Sequence, residues 1–296
     1  MSEGLPRSDV KEVLGQTTVT GIFRYPVKSC AGEELGTAEI ISTGIKHDRE
    51  LLVVTAVETS RYPQGRFLTQ RELPRMALIK PHVTDDALFA GAPGMSPLTI
   101  ALVKEGDVQE VTIWDDRVAV IDQGERANEW FSQFLQTDVK LVRMPDAAVR
   151  NVGEFAPRAE DQVRFADRYN FLFLSEDSLA DLNQRLVEKG LEPVPMNRFR
   201  PNVVLDGSGI PYAEDMMQRV EIDGVTFNMV KPCGRCEITT TEQTTGIRSS
   251  LQEPLRTLAQ YRTREFVPGN KNAMFGQNVV HENTGVIRVG SSVKIL

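Results

Sequence analysis

Residues 196–246 read MNRFRPNVVLDGSGIPYAEDMMQRVEIDGVTFNMVKPCGRCEITTTEQTTG, and the rest of the chain is organised around them. The stretch holds two of the three cysteines, Cys233 and Cys236, in a Cys-x-x-Cys spacing. Three of its arginines, Arg198, Arg200 and Arg235, flank the predicted strands. Thiolates select soft metals, and guanidinium groups bind phosphates and carboxylates in a bidentate geometry. Their occurrence together indicates a cofactor site.

Short β-branched runs separated by turn residues dominate this stretch and its surroundings. The segments NVVLD, RVEI, VTFNMV and CEITTT predict strands, and QNVVHE, GVIRV and SVKIL continue the pattern to the C-terminus. Earlier in the chain, residues 51–57 form an apolar run typical of a strand buried on both faces. Further strand-like segments, MALIKPHV among them, recur at short intervals before residue 121. We therefore expect an α+β protein dominated by β structure, with barrel-like antiparallel sheets.

Helical spacing of apolar residues is confined to a few segments. Helices are predicted over residues 124–136, 175–190 and 253–262. The second is the best defined, because Ser175 suits the N-cap position and Gly190 suits a C-terminal stop. We expect these few helices to flank the sheets.

One long stretch near the middle of the chain lacks clear periodicity, and we place the domain boundary there. The N-terminal residues read as a loose polar tail. The predicted organisation is a flexible tail over 1–16, a β-barrel-like domain over 17–145, a linker over 146–162 and a second β-barrel domain with flanking helices over 163–296.

Composition restricts the class of protein. At 296 residues the chain suits one large unit or two modest ones, and its 41% hydrophobic content is that of a globular protein. A net charge of −7 argues against general nucleic-acid binding, which needs a positive field. Three cysteines cannot all pair within the chain, so a reducing compartment is expected. Neither a signal peptide nor an apolar run of about 20 residues is present, so we expect a cytoplasmic protein without a membrane span.

Four interpretations of Cys233 and Cys236 are open from spacing alone. A structural zinc site normally needs four N or S ligands, and the remaining cysteine and the histidines form no second paired motif. A thioredoxin-type dithiol needs a helix after its first cysteine, whereas EITTTEQTTG is β-branched and then turn-like. Two small core cysteines without chemistry are the third possibility. The fourth is one thiolate that binds a soft transition-metal cofactor whose anionic part is held by basic residues.

A second basic segment, RYPQGRFLTQRELPR, covers residues 61–75. It carries four arginines against the single acidic residue Glu72, in a chain that is acidic overall. Either a solvated loop or an anion-binding loop would have this composition.

Ten short motifs occur in order along nearly the whole chain, from residue 19 to residue 296. They are YPVKSC at 25–30, DR at 48–49, TQRELPR at 69–75, WDDRV at 114–118, LSEDSLADLN at 174–183, FRPNVVLDG at 199–207, YAED at 212–215, PCGRCEITT at 232–240, EPLRTLAQYR at 253–262 and FGQN at 275–278. Together they resemble the MOSC proteins (molybdenum cofactor sulfurase C-terminal domain) that carry an N-terminal MOSC β-barrel domain. Within that family the chain looks most similar to the amidoxime-reducing branch, which includes the mitochondrial amidoxime reducing component and bacterial ferredoxin-fused relatives.

The resemblance implies a molybdenum cofactor of the molybdopterin form, a pterin dithiolene that carries the metal and ends in a phosphate; pyridoxal phosphate is not expected. The family's Arg-Cys-x-x-Thr-Thr pattern falls on Cys236, which is thereby implied as the metal ligand and catalytic cysteine. Cys233 would be its neighbour. The cofactor-binding residues implied in the same way are Lys28, Ser29, Arg49, Arg71, Ser175, Arg198, Arg200, Asn202, Arg235, Thr239 and Gln277. Ser175 has the helix cap as an alternative role, and Lys28 and Arg49 have that of surface charges.

The resemblance further implies a reductase of small N-hydroxylated substrates, of the amidoxime or hydroxylamine type, in which the oxygen leaves as water. We expect a monomer that receives electrons from a separate protein of the ferredoxin, flavodoxin or cytochrome b5 type, since no ferredoxin domain follows residue 296. A non-catalytic molybdenum cofactor carrier or sulfur-handling module is the alternative, and a β-rich structural protein with a decayed site is a third. No proton donor is evident from the sequence.

This chain departs from the family pattern after the Thr-Thr pair. The family often has an aspartate-proline pair there, whereas this chain has Thr241, Glu242 and Gln243. The substrate specificity of relatives therefore does not transfer by motif alone.

Overall fold

The computed structural model describes residue 14, residues 16–58 and residues 63–296. The tail predicted over 1–16 falls almost entirely outside the described residues. Within them, strands dominate, as predicted. No described helix is long and apolar enough to cross a membrane.

The first part of the chain consists of short strands and one helix. Its elements are β1 (Thr18–Arg24), β2 (Glu33–Leu35), β3 (Thr37–Ile41), β4 (Gly44–Ile45), β5 (Leu51–Thr55), β6 (Lys80–Val83), β7 (Ala87–Gly91), β8 (Leu98–Ala101), β9 (Val108–Ile113), β10 (Asp116–Asp122), α1 (Glu125–Leu135) and β11 (Val139–Arg143). An antiparallel sheet runs in the order β5-β11-β10-β9, and a second runs β6-β7-β8. Helix α1 buries Ala127, Trp130, Phe131 and Phe134 in the core of this part, as its spacing predicts.

The second part begins with a buried strand. Its elements are β12 (Phe171–Ser175), α2 (Glu176–Glu188), β13 (Val203–Asp206), β14 (Arg219–Ile222), β15 (Val225–Gly234), α3 (Leu255–Tyr261), β16 (Thr263–Val267), β17 (Asn270–His281), β18 (Gly285–Arg288) and β19 (Lys294–Ile295). The predicted helix over residues 175–190 is confirmed: the Ser175 hydroxyl accepts a hydrogen bond from the Ser178 amide, and Gly190 has a φ of +73°.

The two parts are interleaved at the start of the chain. The largest sheet runs β19-β14-β15-β17-β12-β13-β1-β2, with β16 paired to β17, so that the first two strands extend a sheet built mainly by the second part. Strand β3 likewise pairs with β18. Val19, Ile22 and Ile40 consequently lie in one hydrophobic core with Phe173 and Phe227. This pairing carries the loop after β1 to the junction between the two parts.

Two segments differ from their predicted strand structure. Residues Glu237–Thr240 form one turn of 3₁₀ helix, because the Thr239 and Thr240 hydroxyls donate to the carbonyls of Cys236 and Glu237, three residues earlier. Residues Pro74–Leu78 also form a 3₁₀ helix, in which the proline occupies the first turn, and the strand begins only at Lys80.

Candidate active site

A cavity of about 200 Å³ lies where the two parts of the chain meet. Loops that follow β1, β4 and β15 line it, together with the loop before β12. The cavity brings together nine of the predicted site residues, which are Lys28, Ser29, Arg49, Arg71, Arg200, Asn202, Arg235, Cys236 and Thr239. Residues separated by up to about two hundred positions in the sequence therefore share one surface.

Three of these residues have left-handed backbone conformations that are uncommon outside glycine. The φ angles are +67° at Ser29, +47° at Arg49 and +56° at Arg200. Such conformations cost free energy, and they persist where the surrounding structure holds them in place. Their clustering at one cavity is typical of a functional site.

Lys28 is buried at the base of the cavity and is 6% exposed. Its Nζ donates to the carbonyl of Phe165 at 2.7 Å and to Oδ1 of Asp167 at 2.5 Å. Burial lowers the pKa of Lys28, although Asp167 opposes this shift. Desolvation of its carboxylate would by itself raise the pKa of Asp167, whose side chain is 54% exposed, but the charge of Lys28 holds the pKa below its usual range. Lys28 is thus an ion-paired buried cation and not a surface charge.

Arg49 is fixed by polar partners on both parts of the chain. Its Nη1 donates to a carboxylate oxygen of Asp48 and to Oδ1 of Asn202, the latter at 2.9 Å. Asn202 in turn donates to the carbonyl of Phe23 at 3.1 Å. Burial raises the pKa of Asp48 even though Arg49 opposes the shift. This network ties the β4–β5 loop to the segment before β13.

Arg49 and Arg200 both pack on the ring of Tyr25, with guanidinium carbons 4.4 and 4.2 Å from its centroid. Tyr25 is 3% exposed and donates its hydroxyl to the carbonyl of Pro201 at 2.9 Å; burial raises its pKa to about 12. A Cβ at Gly32 would lie 2.5 Å from the ring, so glycine leaves room for it. Burial lowers the pKa of Arg200 to about 10. The ring therefore holds two like charges close together beside the cavity.

Each thiol of the Cys-x-x-Cys pair accepts a hydrogen bond from an arginine. Arg71 Nη2 donates to Cys236 Sγ at 3.2 Å, and Arg235 Nη1 donates to Cys233 Sγ at 3.1 Å. Burial alone would lower the pKa of Arg71, but the charge of Cys236 raises it above its usual value. The sulfur of a cysteine binds metals as the thiolate. Arg71, from the predicted basic loop, thus belongs to the site.

The backbone of Cys236 is fixed by the 3₁₀ turn that it precedes. Thr239, which is 1% exposed, donates both its amide at 3.1 Å and its hydroxyl at 2.9 Å to the Cys236 carbonyl. Arg198 lies behind this turn and donates to the Thr239 carbonyl at 3.2 Å and to Glu242 at 2.9 Å. The turn therefore orients the thiol toward the cavity lining.

Three predicted residues, Ser175, Arg198 and Gln277, are not among those that line the cavity. Ser175 caps α2 and contacts Glu214 at 3.0 Å, which matches its alternative role as a helix cap. Gln277 donates to Asp215 at 2.6 Å. These side chains support the surrounding structure and do not reach the cavity.

The sequence reasoning missed several contributors to the site. Asp167 and Arg168 line the cavity, although they follow the predicted linker and belong to no quoted motif. Arg248 donates to the carbonyls of Gln70 and Arg71, each at 2.8 Å, and so joins the basic loop to the second part of the chain. Asp-Arg pairs occur at 48–49, 116–117 and 167–168, so the repeated pair alone does not single out the residues of the site.

The lining is strongly cationic in an acidic protein. Six basic residues, Lys28, Arg49, Arg71, Arg168, Arg200 and Arg235, face one carboxylate, Asp167, which is already paired. The buried Nε of Arg235 has no hydrogen-bond partner among the described residues. Two thiols lie in the same lining. The arrangement suits a multiply anionic ligand that contains a soft metal and brings most of the metal's ligands with it.

Comparison with known proteins assigns the family. Residues 16–138 match the MOSC N-terminal beta barrel domain, and residues 160–294 match the MOSC domain. The chain belongs to the MOSC family. It is 35% identical to the mitochondrial amidoxime-reducing component 1 of Mus musculus over 94% of this chain and 82% of that protein. The Bos taurus mitochondrial amidoxime reducing component 2 is 32% identical, over 93% and 82% of the two chains.

A second kind of relative extends the comparison. The molybdenum cofactor sulfurase of Arabidopsis thaliana is 31% identical over 87% of this chain, which corresponds to 33% of that protein. This MOSC protein therefore has relatives named for amidoxime reduction and relatives named for sulfuration of the molybdenum cofactor. The second name connects the family with the molybdenum cofactor.

Proposed function

We propose that this MOSC protein is a molybdenum-cofactor-dependent reductase of N-hydroxylated compounds, of the amidoxime or hydroxylamine type. The observation that carries the proposal is the cavity in which the Cys236 thiol, with Arg71 on its sulfur, lies among six basic residues. Relatives named as amidoxime-reducing components support the choice of substrate class. Electrons would come from a separate redox protein of the ferredoxin, flavodoxin or cytochrome b5 type.

The residues present fit the cofactor by the chemistry of their donor groups. Cys236 would provide the sulfur ligand, and Arg71 donates a hydrogen bond to that sulfur. Arg200 and Arg235 have guanidinium donors suited to a phosphate, and Lys28 adds a point charge. When bound, the cofactor supplies the two-electron chemistry of the reaction. The chain's own residues bind, orient and electrostatically stabilise it.

Reduction of an N-hydroxyl group takes two electrons and two protons, breaks the N–O bond and releases the oxygen as water. The cationic lining favours an electron-rich oxygen at this place, because buried positive charge stabilises developing negative charge. The paired state of Lys28 and Asp167 keeps the one lining carboxylate from repelling it. These groups would therefore hold the substrate's polar end beside Cys236.

A carrier or sulfur-handling module is the second candidate. The observation that favours it is the second thiol, Cys233, which lines the same cavity with Arg235 on its sulfur. The relatives named molybdenum cofactor sulfurase are consistent with it. A carrier would need the same cofactor-binding residues as a reductase, so only a measurement of turnover distinguishes the two functions.

The deciding experiment expresses the protein in a host that makes molybdenum cofactor, measures bound molybdenum, and assays benzamidoxime reduction with an artificial electron donor. We expect both metal and turnover. Stoichiometric molybdenum without turnover would contradict the reductase and favour the carrier. Folded protein from that host with no molybdenum would refute both.

A further inference from the structure

A second cavity of about 250 Å³ adjoins the first and shares part of its wall, including Arg168, Cys233 and Gly234. From this wall it extends to the β16–β17 hairpin, where Phe266 and Met274 line it. Neither the sequence motifs nor the cofactor fit uses this outer cavity. The outer cavity lies beside Cys233, whereas Lys28, Arg49 and Cys236 line only the first cavity.

The outer cavity is positively charged. Lys231 lies over the rings of Phe155 and Tyr169, at 5.1 and 5.7 Å from their centroids, and forms no ion pair with a described residue. The nearest carboxylate to Arg168 is Asp115 at 3.6 Å, and the Asp115 side chain is 94% exposed. An ion pair of this kind is worth little, because water screens it. Both cations are therefore available to a ligand.

The one carboxylate that lines the outer cavity is Asp167, and it is already engaged. Its Oδ1 accepts from Lys28 at 2.5 Å and from the indole Nε1 of Trp114 at 3.3 Å. Since Lys28 neutralises this charge, the remaining charge of the cavity comes from Arg168 and Lys231. A cationic ligand is thereby disfavoured and an anionic one is favoured.

An aromatic wall closes the other side. Phe266 is 41% exposed and packs edge-to-face against Phe155, with ring centroids 5.5 Å apart. Partly exposed aromatic side chains at the mouth of a cavity offer a flat apolar face on which a planar ring can stack. Gly234 faces this wall, and a Cβ there would lie 3.1 Å from the Cβ of Asn272, so a larger residue would crowd the cavity.

We propose that the outer cavity binds the body of the substrate and selects N-hydroxylated compounds that combine a planar aromatic group with a negative charge. The inference rests on the proposed reductase function and specifies its substrate class. The N-hydroxyl end lies beside Cys236 in the first cavity, the ring lies against Phe266, and the anionic substituent meets Arg168 and Lys231. Lys231 and Arg168 are thus specificity-determining residues that do not act in the chemical step.

The test compares three substrates with an artificial electron donor: benzamidoxime, 4-carboxybenzamidoxime and a benzamidoxime with a 4-trimethylammonio group. We expect kcat/KM to be highest for the carboxylated compound and lowest for the cationic one, with about tenfold between them at low salt, as a single charge-assisted contact would give. The preference should weaken as ionic strength rises.

Lys231→Glu should reverse this order through KM while leaving kcat for benzamidoxime within about twofold, the pattern of a binding contact. Lys271→Glu is the matched control: it makes the same charge change on the neighbouring hairpin strand, its side chain is 72% exposed, and it is not among the residues that line the outer cavity. Equal effects of the two variants, or a wild-type preference for the neutral or cationic substrate, would overturn the inference.

A binding measurement separates this inference from the proposed function. Calorimetry on the molybdenum-loaded protein with 4-carboxybenzamide and benzamide, which lack the N-hydroxyl group, should show tighter binding of the carboxylated compound, and Lys231→Glu should abolish the difference. If no amidoxime is reduced but this difference is found, the reductase function fails and the selective cavity stands. If amidoximes are reduced without the difference, the function stands and the cavity assignment fails.

Discussion

Lys28 and Arg49, from the first part of the chain, differ from Arg200 and Arg235, from the second part, in how their charges are neutralised. Lys28 and Arg49 each contact a carboxylate, Asp167 and Asp48 respectively. Arg200 packs on the ring of Tyr25, and Arg235 donates to a backbone carbonyl and to a cysteine sulfur, with no carboxylate ion pair recorded for either among the described residues. The first set therefore belongs to the fold as much as to the site, whereas the second has charge left for a ligand.

The largest effect is expected at the two cysteines, because both candidate metal ligands come from the second part of the chain. Substitution of a residue that supports a metal ligand costs up to roughly 100-fold in metal affinity or activity. Cys236→Ser would remove the ligand itself, so it should reduce activity and bound molybdenum by more than this. Cys233→Ser should keep most of both, since we assign it no bond to the metal. Molybdenum analysis and benzamidoxime turnover on both variants check the assignment, and the reverse outcome would transfer the ligand role to Cys233.

Arg49 and Arg200, which both pack on Tyr25, allow a direct comparison of an ion-paired cation with one that has no carboxylate partner among the described residues. Arg49→Met should destabilise the fold by about 3 kcal/mol, because it leaves Asp48 buried without its cation. Arg200→Met should leave stability unchanged or raise it, since burial lowers the pKa of Arg200 to about 10 and so disfavours its charge in the fold. The same substitution should lower bound molybdenum about tenfold by removing a charge-assisted contact.

Denaturant unfolding and metal content, measured on both variants, separate the two effects. Equal destabilisation by Arg49→Met and Arg200→Met would show that the Arg49–Asp48 ion pair does not make Arg49 more important for stability than Arg200.

The smallest expected effect is the loss in acid of the stability that the Lys28–Asp167 ion pair contributes. The pKa of Asp167 is held below its usual 3.8 in the folded protein, so its ion pair stabilises the fold above that pH and the stabilisation is lost as the pH falls below it. More than half of the Asp167 side chain is exposed, which limits the contribution to about 1 kcal/mol. Asp167→Asn should therefore lower the melting temperature at pH 7, and the difference from the wild type should shrink as the pH falls below 3.8. A difference that stays constant between pH 7 and pH 2 would contradict this origin.

Local pattern was enough to predict much of the fold. The apolar run of β5, the stripe of α1 and the cap of α2 at Ser175 depend on residues close in sequence, and all three are confirmed. The turn after Cys236 was mispredicted because β-branched threonines favour strands on average, whereas here their hydroxyls bond to carbonyls three residues back. Propensity alone does not distinguish these two uses of threonine.

The candidate site could be predicted only in part, because it depends on contacts between residues that lie far apart in the sequence. Motifs brought Lys28, Arg49 and Arg200 into one hypothesis, and the structure brings them to one cavity. No local pattern could show that β1 pairs with β13, or that Lys28 meets Asp167, because these partners lie more than 130 positions apart. The roles of the predicted residues in binding cofactor stay a prediction.

The left-handed backbone at Ser29, Arg49 and Arg200 has a consequence for protein engineering. Arg49 is retained for stability because it neutralises the buried Asp48. Glycine adopts left-handed angles without the steric cost that a Cβ imposes, so a redesign guided by stability would favour glycine at Ser29 and Arg200. Each replacement would relax the main chain and remove a side chain from the cavity. Thermostabilised descendants of this chain should therefore be chosen by retained molybdenum and not by melting temperature alone.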